Sequence, residues 1–168
     1  MVSVIFSEDR KRYGIVVGKS VAENSTMATM DQFMSGAFIN KKKERAIAQK
    51  YVDSLKTKTP NVDQLVVNLS GGNQQKVVIA KWLVRNCDIL IFDEPTRGID
   101  VGAKSEIYHL MNELVAAGKS IIMISSEMTE ILRMSDRIMV MCEGRVTGEI
   151  GIAEATQERI MHAATLRK

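Results

Sequence analysis

Four apolar residues, Ile89-Leu90-Ile91-Phe92, run without interruption into two adjacent acids, Asp93-Glu94, and then into Pro95-Thr96. A short apolar run closed by acids and a proline describes a buried strand that delivers carboxylates to its C-terminal edge, where α/β sheets bind ligands. The surroundings alternate accordingly. A helix is expected from about Asn73 to Val84, a second from about Ala103 to Val115, and a further strand over Ile121 to Ile124. Strand, helix and strand in that order predict an α/β fold with a parallel sheet and a right-handed crossover.

The flanks are less regular. Val2 to Phe6 reads as a strand, cut off by the charged stretch Ser7-Glu8-Asp9-Arg10-Lys11-Arg12. Val21 to Leu55 reads as mostly helical, with Met27, Met30, Phe33 and Met34 at helical spacing and Asn40-Lys41-Lys42-Lys43-Glu44-Arg45 leading into another helix that Pro60 stops. Arg137 to Cys142 and Arg145 to Ile150, joined by Glu143-Gly144, predict an antiparallel hairpin at the sheet edge. Ala155 to Ala164 predicts a last helix.

A length of 168 residues fits one domain, and 45% hydrophobic with 26% charged residues fits an ordinary globular chain. A formal charge of +3 gives no electrostatic footprint for nucleic acid, so no nucleic-acid partner is expected. Cys87 and Cys142 form no C-x-x-C pair and suggest neither a disulfide framework nor a zinc site. No stretch approaches the ~20 apolar residues of a membrane helix, so any membrane association is expected through a partner.

Ahead of the acidic strand lies Leu69-Ser70-Gly71-Gly72-Asn73-Gln74-Gln75, continued by the amphipathic run Lys76 to Leu83. Two glycines after a serine let the backbone approach a phosphate, and the following helix aims N–H groups and its dipole at negative charge. A Ser-capped helix start with a flexible turn would look the same in isolation. The acids downstream favour the anion site: Asp93 is placed to hold Mg²⁺ and Glu94 to polarise an attacking water.

Taken together, Leu69 to Lys76, Asp93-Glu94-Pro95-Thr96-Arg97-Gly98-Ile99-Asp100-Val101-Gly102-Ala103-Lys104, Ser125-Ser126-Glu127-Met128 and the opening Ser7 to Arg12 resemble the signature motif, acidic strand, following loop, switch and lid loop of ABC ATPases. The wording resembles the second ATPase domain of bacterial monosaccharide importers of the ribose, xylose and galactoside group. The resemblance implies a P-loop NTPase-like fold with a helical subdomain over 19–60, the signature-to-switch region over 61–150 and a C-terminal helix over 151–168. It implies ATP and Mg²⁺ as ligands, a head-to-tail pair with another ABC ATPase domain, permease subunits as membrane partners, and a place on the cytoplasmic face of the membrane.

By the same resemblance, Ser70, Gly71, Gly72 and Gln74 would face ATP held by the opposite domain. Asp100 would couple the two sites, and Asp93 and Glu94 would serve the domain's own nucleotide if that domain were complete. Glu8 stands where the family carries a lid-loop Gln, and Ser126 where it carries a switch His. A hydroxyl cannot become cationic, so slow hydrolysis at this half is expected.

Gly14-Ile15-Val16-Val17-Gly18-Lys19-Ser20 imitates a phosphate loop but has three residues between its glycines rather than four, and it follows charge rather than an apolar strand. It is read as a turn and a helix start capped by Ser20. The resemblance therefore implies a domain incomplete at its N-terminus, with the phosphate-binding loop absent. Two roles stay open: the ATP-binding part of a sugar importer, or a non-catalytic interaction fragment unable to bind ATP alone. His109 and His162 are expected as surface or half-buried residues rather than ligands.

Overall fold

In the computed structural model, which describes residues 3–6, 9–35 and 38–166, the first element is strand β1 (Ser3–Phe6), followed by a wide helical turn at Arg10–Gly14 and helix α1 (Val21–Thr26). Two short strands, β2 (Met34–Ser35) and β3 (Phe38–Ile39), lead to α2 (Lys41–Ser54). Then come α3 (Gly71–Leu83), β4 (Ile89–Asp93), α4 (Val101–Ala116) and β5 (Ser120–Ile124). These belong to one compact unit, Met1–Ile124. A second unit, Ser125–Lys168, holds α5 (Met128–Met134), β6 (Arg137–Cys142), β7 (Arg145–Gly151) and α6 (Gln157–Ala164).

The sheet of the first unit has the order β1-β4-β5, and both pairings are parallel. Val4 lies opposite Leu90 and Phe6 opposite Phe92, all four buried, and the two phenyl rings stack with centroids 4.4 Å apart. Burial alternates along β4: Leu90 and Phe92 are fully enclosed, whereas Ile89, Ile91 and Asp93 are half-buried. The apolar run is therefore wholly covered on one face only, because Ile5 and Ile122, which flank Ile91 in register, are exposed.

Helix α3 is the structural centre of this unit. It packs on α1, α2, α4, β1 and the Arg10–Gly14 turn, and residues Gln74 through Lys81 are all buried. The amphipathic reading of Lys76 to Leu83 is thus corrected: neighbours surround the helix instead of covering one stripe. Its buried cations carry partners. Lys76 Nζ donates to Glu106 Oε2 at 2.8 Å and to the Lys56 carbonyl at 3.2 Å, and Lys81 Nζ donates to the Gly14 carbonyl at 2.6 Å. Desolvation holds the Lys81 ammonium below its usual pKa.

The helical reading of Val21 to Leu55 is corrected in its middle. After Thr26 a short 3₁₀ stretch, Met27–Gln32, breaks at Thr29 (φ −140°, ψ 36°) and gives way to the β2–β3 hairpin. Thr26 Oγ1 donates to the Ala22 carbonyl and Thr29 Oγ1 to the Thr26 carbonyl, the side-chain-to-backbone bonds that compete with helix propagation. Phe33 is buried while Met30 and Met34 are exposed, so the methionine spacing traces no helix face. Asn40 then caps α2 by accepting from the Lys43 N–H at 3.1 Å, and Lys41, Lys42 and Lys43 form its solvated first turn.

In the second unit β6 and β7 form the expected hairpin through Glu143-Gly144, both at positive φ (49° and 78°). It is a separate two-stranded sheet and not an edge of β1-β4-β5. Ile138, Val140 and Ile150 pack with Ile160 and Ala163 of α6, and Met128, Ile131 and Leu132 of α5 add to that core.

Candidate functional site

The start of α3 is an open helix end. Ser70 occupies the N-cap position with extended backbone (φ −61°, ψ 158°), yet its hydroxyl accepts from no backbone N–H of the first turn. Its Oγ instead accepts from Asn73 Nδ2 at 2.9 Å. The Ser-capped alternative for this turn is therefore not what forms. Ser70 is exposed, Gly71 half-buried and Gly72 buried. First-turn N–H groups have no partner inside their own helix, so an uncapped first turn leaves donors for an anion.

The rest of the motif is turned inward. Gln74 is buried and its Nε2 donates to the carbonyls of Val66 and Leu69, both at 3.2 Å, which fixes the turn leading into Ser70. A Cβ built on Gly72 would meet Ala103 Cβ at 2.8 Å, closer than such atoms approach in proteins. Glycine is thus required at position 72 by the close approach of α3 to α4.

That approach joins the serine-glycine turn to the loop after β4. Asp100 caps α4 by accepting from the Ala103 N–H at 2.9 Å. Between the two, Pro95 and Thr96 are buried, the Arg97 N–H donates to the Glu94 carbonyl at 3.1 Å, and the Ile99 N–H donates to the Thr96 carbonyl at 3.2 Å. Asp93 ends β4 at the C-terminal edge of the parallel sheet, half-buried. Glu94 follows at φ 49°, a left-handed conformation uncommon for a non-glycine residue, and its N–H donates to the Ile124 carbonyl at 2.9 Å. Lys56, Asn86 and Glu143 adopt the same positive φ in turns, so at Glu94 the conformation marks the tight turn out of β4.

The phosphate-loop imitation at Gly14–Ser20 is a capping box. Ser20 accepts from the Glu23 N–H, and Glu23 Oε2 accepts from the Ser20 N–H, while Lys19 Nζ sits 3.0 Å from Glu23 Oε1. The Ser20 backbone bond first, and then Lys19, hold the Glu23 carboxyl down at about 2 against an ordinary 4.5. A depressed carboxylate favours the fold at pH values above 4.5, and that contribution is lost as pH falls toward 2. Glu23→Gln therefore lowers stability at pH 7 by about 1 kcal/mol after allowance for solvent screening. Chemical denaturation of variant and parent should converge as the pH drops through that window.

Ser126 lies in the second unit, exposed, just ahead of α5. Its neighbour Ser125 donates to the buried Glu130 and accepts from the Glu127 N–H at 3.0 Å, which fixes the turn that carries Ser126. Glu8 lies outside the described residues. His109 is exposed, with Nε2 3.1 Å from Glu113 Oε1, and His162 is likewise at the surface. Sequence reasoning passed over Asn73 and Lys76. The local signal was their position inside the Leu69–Lys76 motif, since Lys58, which orients Asn73, and Lys56 and Glu106, which hold Lys76, lie far along the chain.

A parallel sheet with acids at its C-terminal edge, in one unit with an uncapped Ser-Gly-Gly helix start, is the arrangement of a P-loop NTPase-like α/β fold. The chain belongs to the ABC transporter family, whose model matches residues 2–97. It is 60% identical over 163 residues to a ribose/galactose/methyl galactoside import ATP-binding protein of Burkholderia ambifaria, across 96% of this chain and 32% of that protein. It is 58% identical over 159 residues to a xylose import ATP-binding protein of Thermoanaerobacter pseudethanolicus, across 95% of this chain and again 32% of the relative. The chain thus spans about a third of the length of these curated relatives. Among solved structures, an ATP-binding cassette of an ABC transporter matches 96% of this chain and 68% of its own at a TM-score of 0.78 and 21% identity. A cassette solved as a dimer in a post-hydrolysis state, bound to ADP and Pi, matches 90% and 63% at 0.71 and 21% identity.

Proposed function

We propose that this chain forms part of the ATP-binding component of a sugar importer and offers Ser70, Gly71 and Gly72 to ATP held by an opposing ATPase domain. The observation that carries this reading is the uncapped first turn of α3, with an exposed serine whose side chain does not close it. The import ATP-binding relatives supply the sugar context. Gln74 positions the turn from within, and Asp100 sets the start of the helix against which Gly72 lies.

Asp93 and Glu94 serve the nucleotide of this chain's own domain. Carboxylate oxygens suit Mg²⁺, which takes one or two such ligands beside phosphate oxygens and water, so Asp93, half-buried at the C-terminal end of β4, fits the ion. The ion would neutralise phosphate charge there. Glu94 accepts a proton from water as it attacks, from the turn that directly follows β4. Ser126 offers a hydroxyl donor in the switch position, and Glu8 stands in the lid loop. Segment 19–60 forms the helical subdomain, with 61–150 and 151–168 following it. Permease subunits anchor the assembly at the cytoplasmic face; no helix among the described residues is long and apolar enough to cross a membrane.

Mixing the purified chain with a hydrolysis-blocked ATP-binding cassette tests the reading by sedimentation. ATP should drive association, and Ser70→Arg, which fills the anion position with a long side chain, should abolish it. Association indifferent to ATP and to that substitution would overturn the assignment and leave only a docking fragment.

A further inference from the structure

We infer that Asn73 is a positioning residue that occupies one lone pair of Ser70 and so turns the hydroxyl hydrogen outward, toward a hydrogen-bond-accepting ligand such as a terminal phosphate oxygen. This deepens the reading above and rests on it. The orientation of the Asn73 amide is decided by its second partner. Its Oδ1 accepts from the Lys58 backbone N–H at 2.8 Å, and an N–H has nothing to accept with, so the carbonyl end must face Lys58. Nδ2 is thereby turned to Ser70 Oγ at 2.9 Å.

A serine hydroxyl has one hydrogen to give and lone pairs to receive. With a lone pair engaged by Asn73, the hydrogen of Ser70 has no acceptor among the described residues and can only be directed outward. Beside it stand the first-turn N–H groups of α3, which are donors too. The result is a donor-rich cluster on an exposed turn, suited to an oxyanion.

Lys58 is itself held in place. The preceding Lys56 carbonyl accepts from buried Lys76, and Glu106 Oε1 lies 3.4 Å from Lys58 Nζ while Glu106 Oε2 lies 2.8 Å from Lys76 Nζ. Those two lysines, Lys76 first, hold the Glu106 carboxyl below its ordinary pKa. The loop that follows α2 thus fixes the amide that fixes the hydroxyl.

The test is a double-substitution cycle in the ATP-driven association with a hydrolysis-blocked cassette, with thermal melts as a control for folding. Asn73→Ala is expected to weaken association about tenfold, comparably to Ser70→Ala, and the pair together should be no more than about twofold worse than Ser70→Ala alone. Asn73→Asp keeps the Lys58 bond but replaces the donor by an acceptor, capturing the Ser70 hydrogen, and should be at least as damaging as Asn73→Ala. Full additivity of Asn73→Ala with Ser70→Ala would mean that Asn73 only holds the loop, and would overturn the inference. Unchanged association in Asn73→Asp would do the same. Failure of the unsubstituted chain to respond to ATP is a separate outcome, which removes the functional reading and this inference with it.

Discussion

Phe92→Ala is expected to remove ~4 kcal/mol of stability, a large share of the 5–15 kcal/mol typical of a domain. Phe92 is wholly enclosed, and its ring lies 4.4 Å from that of Phe6, nearly parallel at 3°. Truncation loses the burial of the ring, opens a cavity between β1 and β4, and leaves Phe6 without its stacking partner. The same residue immediately precedes Asp93 and Glu94, so the strand that aims the acids is the strand that loses its anchor. Urea unfolding followed through Trp82, the single tryptophan of the chain and a member of α3 in the same unit, reads the loss directly. A shift in midpoint with little change in slope would assign it to the native core. Phe92→Leu, which keeps most of the volume, should recover much of the difference.

What the sequence disclosed follows the range of the forces involved. The strand at Ile89 and the hairpin around Glu143-Gly144 were readable because period, β-branching and a turn dipeptide act between neighbours. Helix α3 begins at Gly71, two residues before its expected start, because glycines mask a helix in local propensity while tertiary packing holds them in it. The hairpin at Met34–Ser35 and Phe38–Ile39 was hidden because four apolar residues at helical spacing outweighed two threonines whose side chains bond the backbone. Helix α5 is only seven residues long and was passed over, although Met128, Ile131 and Leu132 stand at i, i+3 and i+4. In the site, Ser70, Asp93 and Glu94 were legible as residue types in a pattern. Asn73 was not, because its meaning depends on Lys58, and the inward turn of Gln74 depends on Val66 and Leu69.

Gly72 shows how one residue type can carry two demands, and substitution separates them. The sequence suggests glycine here so that the backbone can approach a phosphate; the structure adds that a Cβ would stand 2.8 Å from Ala103 Cβ. Neither partner is a flexible side-chain tip, so relief requires one helix to shift against the other. Gly72→Val is expected to cost about 3 kcal/mol, at the upper end of overpacking penalties, even though leaving glycine behind favours a helix by up to about 1 kcal/mol. Gly72→Ala should cost less, and adding Ala103→Gly should recover most of that loss, with a coupling of about 1–2 kcal/mol between sites in contact. Denaturation midpoints of the four proteins measure the coupling. Because Asp100 caps the helix that carries Ala103, the same shift separates the Ser70 turn from the loop after β4. ATP-driven association should therefore fall in Gly72→Ala and return in the double variant. Stability restored without association would locate the second demand on Gly72 in the exposed turn rather than in the helix contact.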